Sequence, residues 1–214
     1  MRRNSLYPAG IKVIAHIRLT NVCNYFKIAA VMKMIYTHKE LEKIFKSDYQ
    51  IKKATAEGTI YKIERGIYSY VPYVHPLEII TKKYPHAVFT MDSAFYFHGL
   101  TDVIPSKMHL AVIRTATRRV ANRNIAQVFT LEKYLGIGKT QIVFDGILIN
   151  IYNRERMLIE LIRNKKRLAF DYYKEIINSY RGRVNELDIM NIEDYTKEFD
   201  TEDYIFKTIQ EEVF

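Results

Sequence analysis

The sequence predicts an α+β protein, because helical and strand patterns fill separate stretches of the chain. Two short capped helical patterns precede a pair of β-rich runs between Thr37 and Tyr70. Further β-rich runs lie between residues 107 and 152, and helical periodicity returns from Asn153 onward. We therefore expect a small N-terminal module, followed by an α+β domain with a mainly antiparallel sheet and a helical C-terminal cluster.

The first helix of the N-terminal module is predicted from its cap and its apolar face. Thr37 is a good N-cap, and Glu40 three positions later completes a capping box. Leu41, Ile44 and Phe45 then fall on one face of the helix. This pattern predicts a short helix that buries one side.

A second helix follows almost without a linker. Ser47 is its predicted N-cap, and Gln50 takes the third helical position. Ile51 and Ala54 turn inward, and Gly58 suits a left-handed C-terminal cap. Two helices separated by so few residues must cross at a steep angle.

The chain then carries the pattern of a tight β-hairpin. Ile60 to Glu64 and Ile67 to Tyr70 are β-rich runs joined by Arg65-Gly66, where glycine can supply the positive φ of a hairpin turn. Two helices followed by such a hairpin have the element order of a winged helix-turn-helix. The alternative interpretation is an αα-hairpin with a solvated basic face.

With its apolar residues turned inward, the second helix points amide and ammonium groups outward. An amide offers a donor and an acceptor to base edges, and cationic groups suit phosphates. The hairpin extends the same basic surface. The candidate DNA-contacting residues, with the two N-caps included, are Thr37, Ser47, Tyr49, Gln50, Lys52, Lys53, Lys62 and Arg65.

Length and composition fit two domains better than one, because 214 residues with 48% hydrophobic content can bury a substantial core. We place the winged module at residues 34–76 and the second domain at residues 77–214. The single cysteine, Cys23, excludes an internal disulfide framework and fits a reducing cytoplasm. No run approaches the roughly 18 apolar residues of a membrane span, so we expect a soluble cytoplasmic protein with no membrane partner.

The net charge of +9 is distributed unevenly along the chain. Residues 1–33 hold six Lys/Arg and no acid, whereas residues 184–214 hold two Lys/Arg and ten acids. The basic extension has three interpretations: an arm that follows phosphates, a transit-like peptide, or upstream sequence from a misplaced start. We favour the misplaced start, because a chain beginning at Met32 or Met34 keeps a well-formed domain, and we rank the basic arm second.

The second domain is predicted to begin with short elements and then to turn β-rich. A helix over Leu77 to Lys83, a buried strand over Ala87 to Thr90 and a helix closed by Gly99 come first. Asp145-Gly146 is among the strongest signals for a type I′ hairpin, and a later helix has Asp171 as its predicted cap. The strand candidates are Lys107 to Ile113, Ile125 to Phe129, Thr140 to Phe144 and Ile147 to Tyr152.

Several stretches together are similar to one known family. They are RGIYSY at the end of the winged module, MDSAFYFHGLTDVIPSKMHLAV, the Asp145-Gly146 hairpin and YNRERMLIELIRNKKRLAFDYYKEIINSY. From about Met34 onward, the chain resembles the AbiEi-type antitoxins of bacterial abortive-infection, type IV toxin-antitoxin systems. The second and fourth stretches are the specific ones, because a winged module alone occurs in many regulators.

This resemblance implies a transcriptional regulator that binds operator DNA and represses its own operon. It also implies counteraction of a nucleotidyltransferase-type toxin in phage defence, with no stable toxin complex required. The alternative is a non-DNA protein-interaction module, or an orphan winged-helix regulator without a toxin partner.

Two further basic clusters are candidates for a second nucleic-acid or partner surface. One follows the Arg154-Glu155-Arg156 helix start, and the other lies across a predicted β-hairpin tip, where guanidinium groups suit phosphates. The alternative for both is a solvated face, and cations near a helix end also suit its dipole. The candidates are Arg163, Lys165, Lys166 and Arg167 in the first cluster, and Arg114, Arg118, Arg119 and Arg123 in the second.

The sequence carries no complete enzymatic motif. Gly136 to Thr140 ends like a P-loop, but Lys133 stands where the first glycine belongs. Ser93 and His98 fall on different faces of one helix, which favours packing over a nucleophile and base pair. No histidines pair at i,i+4, and only one cysteine is present to join them, so we predict no metal site. We also predict no catalytic residue and no cofactor.

Overall fold

The computed structural model describes residues 35–113 and 122–214. The chain forms two compact units, one ending at Lys83 and the other running from Tyr84 to Phe214. Both units contain helices and strands, so the protein is α+β, as the sequence predicted. The N-terminal extension, residues 1–33, lies outside the described residues, and the three interpretations of it stay open.

The first unit combines a helix pair with a small sheet. Its strands form a three-stranded antiparallel sheet in which the third strand lies between the first two. The predicted order of two helices and a hairpin is present over residues 38–69. The described elements are β1 (Ile35–Thr37), α1 (His38–Phe45), α2 (Asp48–Ala56), β2 (Tyr61–Glu64), β3 (Ile67–Ser69) and α3 (Pro76–Lys83).

The hydrophobic core of the first unit joins the two helices to the sheet. The inward faces predicted for α1 and α2 are the faces that are buried, with Leu41 completely buried and Ile51 only 2% exposed. Because each short element contributes to one cluster, none has to be stable alone. The buried cluster consists of Leu41, Ile51, Ala54, Ile60 and Tyr68.

Helix α3 belongs to the first unit, so the two units divide after Lys83 rather than after residue 76. Lys82 Nζ lies 2.7 Å from Glu40 Oε2, and Lys83 Nζ lies 2.8 Å from Glu64 Oε1. These half-buried ion pairs link α3 to α1 and to β2. A contact between distant residues of this kind is not visible in local sequence patterns.

The second unit contains one five-stranded sheet and a group of helices. Each strand predicted for this part of the chain is present, with ends within one residue of those expected. The described elements are β4 (Val88–Phe89), α4 (Met91–Phe97), β5 (Met108–Ile113), β6 (Ile125–Thr130), α5 (Glu132–Leu135), β7 (Lys139–Phe144), β8 (Ile147–Tyr152), α6 (Arg154–Arg163), α7 (Phe170–Arg181), α8 (Ile189–Lys197) and α9 (Glu202–Glu212).

The sheet of the second unit has the strand order β6-β5-β4-β8-β7 and is mixed, which corrects the expectation of a mainly antiparallel sheet. β4 pairs with β5, and β7 with β8, in antiparallel fashion. β4 pairs with β8, and β5 with β6, in parallel fashion. The predicted hairpin between β5 and β6 is therefore wrong, because parallel neighbours need a crossover connection.

The predicted hairpin between β7 and β8 is confirmed. Asp145 has a φ of 50° and Gly146 a φ of 77°, so both central residues take the positive φ of a type I′ turn. Phe144 pairs with Ile147 directly across this turn. The local turn signal was therefore sufficient to predict both the strands and their pairing.

The helices of the second unit surround α6, whose side chains from Glu155 to Ile162 are all buried. Helices α8 and α9 both contact α6. Helix α7 begins at Phe170, so Asp171 lies in its first turn and does not cap it. The predicted apolar stripe of α7 is buried: Tyr173, Ile176, Ile177 and Tyr180.

Within the described residues, no helix has both the length and the apolar character that crossing a membrane requires.

Candidate nucleic-acid interface

Thr37 and Ser47, both candidates for DNA contact, act in the structure as helix caps. Thr37 Oγ1 accepts the N–H of Glu40 at 3.4 Å, and the Thr37 N–H donates to Glu40 Oε2 at 2.8 Å. Ser47 Oγ accepts the N–H of Gln50 at 3.3 Å. These bonds satisfy amides at the helix starts and fix where α1 and α2 begin.

Only Lys46 and Ser47 separate the two helices. Lys46 takes a φ of 62°, in the left-handed region, and its N–H donates to the Glu42 carbonyl at 2.8 Å. His38 Nε2 at the start of α1 lies 2.9 Å from Asp48 Oδ1 at the start of α2. The turn and this contact together restrict the angle at which α1 and α2 cross.

Helix α2 buries one side and exposes the opposite side. Ile51 and Ala54 are 2% and 7% exposed, whereas Tyr49 is 75% exposed. With about 100° between successive residues, Tyr49 and Lys53 each lie two positions, or about 200°, from Ile51. These two side chains therefore form the centre of the exposed face.

Gln50 and Lys52 flank this centre on opposite sides, because each is one position from Ile51. Both side chains are exposed. Lys53 Nζ lies 3.8 Å from Glu57 Oε1, and both groups face solvent. An exposed pair of this kind contributes little to stability, so Lys53 can exchange its partner for a phosphate at small cost.

The hairpin of β2 and β3 carries two exposed cations, Lys62 and Arg65. Gly66 takes a φ of 80° in the turn, as the sequence predicted, and a bulge separates Lys62 from Glu64. The His38 N–H donates to the Gly66 carbonyl at 3.0 Å. The hairpin turn therefore lies beside the start of α1.

A shallow groove of about 440 Å³ lies between the end of α2 and strand β2. Thr55 and Ala56 line it from the helix, and Tyr61 and Lys62 line it from the strand. Small side chains at the helix end let another molecule approach the backbone closely. Lys62 places a cation at the same groove.

The described part of the first unit exposes more positive than negative charge. Residues 35–83 hold nine Lys/Arg and six Asp/Glu, and two of the acids pair with the lysines of α3. The exposed surface of the helix pair and hairpin therefore has the sign that attracts phosphates. The exposed acids are Glu42, Asp48 and Glu57, and the exposed cations are Lys39, Lys43, Lys46, Lys52, Lys53, Lys62 and Arg65.

In the second unit, two residues of the basic stretch at the end of α6 and just after it pair with acids of the same unit. Arg163 Nη1 donates to Glu160 Oε1 at 3.0 Å, and its guanidinium lies 4.3 Å from the centre of the Phe199 ring. Lys165 Nζ pairs with Glu212 Oε1. Arg163 and Lys165 therefore have structural partners and are weaker candidates for nucleic-acid contact. The other two residues of the stretch are exposed: Lys166 and Arg167.

Arg123, one of the four loop arginines, lies beside the start of β5 and not at a hairpin tip. Arg123 is exposed, but the next residue, Asn124, accepts the Met108 N–H at 2.8 Å, at the start of β5. Strand β5 ends at Ile113, about 17 Å further along the sheet. The predicted hairpin tip is therefore wrong for Arg123. The other three arginines lie outside the described residues: Arg114, Arg118 and Arg119.

Buried charges occupy the first turns of α6, where the sequence indicated only a charged helix start. Arg156 is 1% exposed, and its Nη2 donates to Glu160 Oε1 at 2.6 Å. Its Nη1 donates to the Tyr134 carbonyl at 3.3 Å. Glu155 Oε1 accepts the N–H of Asp188 at 3.1 Å. These residues hold the second unit together.

Ser93 and His98 bond to different elements. Ser93 Oγ is buried and accepts the His109 N–H at 2.8 Å. His98 Nε2 lies 2.7 Å from the Tyr152 carbonyl, and burial lowers the pKa of His98. These contacts fit the packing role that the sequence favoured for both residues.

Three side chains with metal-ligating atoms meet where α1 and α2 begin. His38, Glu42 and Asp48 each offer one such atom, and these atoms all lie within 4.8 Å of one another. Paired histidines or cysteines, the usual signal in a sequence, are absent from this group. The sequence signal that could have revealed this group is a histidine and a glutamate at i,i+4, followed by an acid at the start of the next helix.

No protein-family model and no curated protein matches this chain.

Proposed function

We propose that the first unit is a winged helix-turn-helix that binds operator DNA, and that the protein is an antitoxin and autorepressor of the AbiEi type. The exposed basic face formed by α2 and the β2–β3 hairpin is the observation that carries this proposal. The element order and the sheet order β1-β3-β2 support a winged module. The resemblance to AbiEi antitoxins supports an antitoxin over other regulators.

In this proposal, α2 lies in the major groove of DNA, which is about 12 Å wide and admits an α-helix. Tyr49 and Lys53 face the base edges, because they form the centre of the exposed side. Gln50 offers an amide, which pairs with adenine through two hydrogen bonds. Lys52 and the two hairpin cations contact phosphates on either side of the groove.

The second unit supplies the antitoxin activity in the same proposal. It counteracts a nucleotidyltransferase-type toxin in the cytoplasm, and a stable complex with the toxin is not required. The support is the resemblance of the stretches MDSAFYFHGLTDVIPSKMHLAV and YNRERMLIELIRNKKRLAFDYYKEIINSY to the family. The internal ion pairs of Arg163 and Lys165 leave Lys166 and Arg167 as the better candidates for contact with a partner.

Replacing Lys52 and Lys53 together by alanine tests the DNA-binding face. We expect affinity for the DNA upstream of the protein's own gene to fall about tenfold or more, because one base contact alone contributes about 1–3 kcal/mol. Fluorescence anisotropy with labelled DNA measures the affinity. Far-UV circular dichroism should show an unchanged helix content, since both side chains are exposed.

Lys207→Ala is a matched control for this double variant. Lys207 is exposed, and its Nζ lies 3.8 Å from Glu211 four residues later, as Lys53 lies 3.8 Å from Glu57. We expect this control to bind DNA as tightly as the wild type. If the double variant also bound DNA as tightly, α2 would not be the DNA-contacting element, and a protein-interaction module would become the better assignment.

A further inference from the structure

We propose that His38, Glu42 and Asp48 form a binding site for one divalent cation of the zinc class, where α1 and α2 begin. This proposal replaces the sequence-based expectation of no metal site. Binding of the cation stands independently of the proposed function. Its effect on DNA affinity rests on that function.

The three donor groups are already close enough to share one ion. His38 Nε2 lies 2.9 Å from Asp48 Oδ1, and His38 Nδ1 lies 3.6 Å from Glu42 Oε1. A tetrahedral zinc ion with ligands at about 2.0–2.2 Å holds those ligands roughly 3.4 Å apart. The two carboxylates lie against different ring nitrogens, but one ligand atom from each of the three residues lies within 4.8 Å of the others. Rotation of one carboxylate toward the other ring nitrogen would therefore bring one imidazole nitrogen and two carboxylate oxygens onto a common ion.

The backbone that carries these donors is held in place by other contacts. His38 and Glu42 lie one turn apart on the same face of α1, whose start is fixed by the capping box of Thr37. Asp48 is the first residue of α2, whose start is fixed by Ser47. A preorganised set of ligands loses little conformational freedom on binding, which favours affinity.

The donor set indicates the class of cation. Imidazole nitrogen with carboxylate oxygen suits Zn²⁺ and Co²⁺, whereas Mg²⁺ and Ca²⁺ prefer oxygen ligands alone. Three protein ligands also leave a coordination position for water, as in zinc sites that are not purely structural.

The charges of this group also point to a cation. One imidazole stands between two carboxylates, so a single protonated ring cannot neutralise both. Glu42 and Asp48 are two of the three exposed acids in the described first unit, on a surface that is otherwise basic. A divalent cation neutralises both carboxylates, which strengthens the attraction of this surface for phosphates.

Isothermal titration of the full chain with ZnCl₂ tests the binding directly, and the absorption spectrum of bound Co²⁺ reports the ligand geometry. We expect Asp48→Asn and Glu42→Gln each to weaken one binding event at least about tenfold, because even outer-shell changes cost that much in metal sites. His38→Gln removes the nitrogen ligand and should abolish the event. Circular dichroism checks that each variant is folded.

Two matched controls separate this site from adventitious binding by other exposed acids and histidines. Glu57→Gln removes an exposed acid of the same unit, and His86→Gln removes an exposed histidine outside the group. Both should retain the wild-type titration. Identical titrations for the wild type and all three ligand variants would overturn the proposal, and so would equal affinity for Mg²⁺ and Zn²⁺.

The coupling to DNA is measured as affinity for the upstream DNA with and without Zn²⁺. We expect a tightening of about fivefold in the wild type, at the lower end of typical coupling between two sites, and none in Asp48→Asn. Absence of DNA binding under both conditions would contradict the proposed function and leave the titration result intact. Tight metal binding without any change in DNA affinity would overturn the coupling.

Discussion

Arg156 is the largest of the fully buried side chains in the described residues, and Glu160 lies beside it. Its Nε and Nη2 both donate to Glu160 Oε1, at 3.1 and 2.6 Å, and its guanidinium lies 4.6 Å from the centre of the Phe199 ring. Glu160 also accepts from Arg163, so one carboxylate serves two guanidinium groups. A buried cation needs such partners, because desolvation without them is costly.

Replacing Glu160 by alanine should lower the free energy of unfolding by about 3–5 kcal/mol, the usual cost of leaving a buried charge without its partner. Urea denaturation followed by circular dichroism measures this change. Glu211→Ala is the control, because Glu211 is exposed on α9 and substitutions at such surface positions usually stay within about 0.5 kcal/mol. Similar losses in both variants would show that the Arg156 network is not what stabilises the second unit.

Glu212 connects the last helix to the basic stretch after α6. Its carboxylate accepts from Lys165 Nζ and from the Tyr173 hydroxyl, and its carbonyl accepts from Arg181. Burial acts to raise the pKa of Glu212, but the hydrogen bonds from Lys165 and Tyr173 outweigh it. The pKa of this carboxyl is therefore lowered in the folded protein.

A lowered pKa in the folded state means that Glu212 stabilises the protein while it is ionised. We expect Glu212→Gln to lose about 1 kcal/mol at pH 7. The difference from the wild type should shrink as the pH falls below the ordinary pKa of a glutamate, and it should vanish below the lowered pKa of Glu212. Urea denaturation over a pH series from 7 downward measures it. A difference that persisted or grew in acid would contradict the role of the ionised carboxylate.

At the scale of secondary-structure elements, the sequence predicted what neighbouring residues determine. Thr37 and Ser47 cap the predicted helices, and Asp145-Gly146 forms the predicted turn, because caps and tight turns depend on a few adjacent residues. The parallel pairing of β5 with β6 was missed. The side chains of β5 and β6 alternate as in any strand, so the sequence of each strand does not show whether the two run parallel or antiparallel. The connection between the two strands determines this.

In the candidate site too, the features that depend on neighbouring residues were predictable, and the contacts between separate elements were not. The exposure of Tyr49 and Lys53 follows from the periodicity of α2 and was predicted. The contact of His38 with Asp48 depends on how two helices cross, and the pairing of Lys165 with Glu212 joins distant segments. Such contacts are not encoded in local spacing.

Substitution of Gly146 tests whether the turn between β7 and β8 requires a residue with positive φ. Its φ of 77° lies in the left-handed region, where a Cβ costs about 1–2 kcal/mol, so Gly146→Ala should destabilise the protein by that amount. Gly136→Ala is a matched control, because a Cβ at either glycine meets no atom within 4 Å and Gly136 has a negative φ. Thermal unfolding compares the two. Equal midpoints would show that turn strain is absent.

At the scale of the whole molecule, helix α3 decides where the first unit ends. Ile79 of α3 packs against a cluster that contains Ile35 of β1 and Ile67 of β3. Lys82 and Lys83 add ion pairs to the same unit. A unit of this size buries only a small hydrophobic core, so the loss of one helix should lower its stability appreciably.

A fragment of residues 34–83 should therefore unfold cooperatively at a higher temperature than a fragment of residues 34–76. The shorter fragment lacks the apolar contacts and the ion pairs of α3. Circular dichroism during heating measures both midpoints. The same cooperative midpoint for the two fragments would place the end of the unit at residue 76, as the sequence alone suggested.

The salt dependence of DNA binding tests the central claim most directly, because it counts the phosphates that the basic face neutralises. For the full chain and DNA from upstream of its own gene, the logarithm of the association constant should fall linearly with the logarithm of salt concentration. In the variant with Lys52 and Lys53 replaced by alanine, the slope should be shallower by about 0.9, because the phosphate contact of Lys52 is lost and each such contact contributes about 0.9. An unchanged slope in this variant, with Lys207→Ala as reference, would contradict DNA binding through α2.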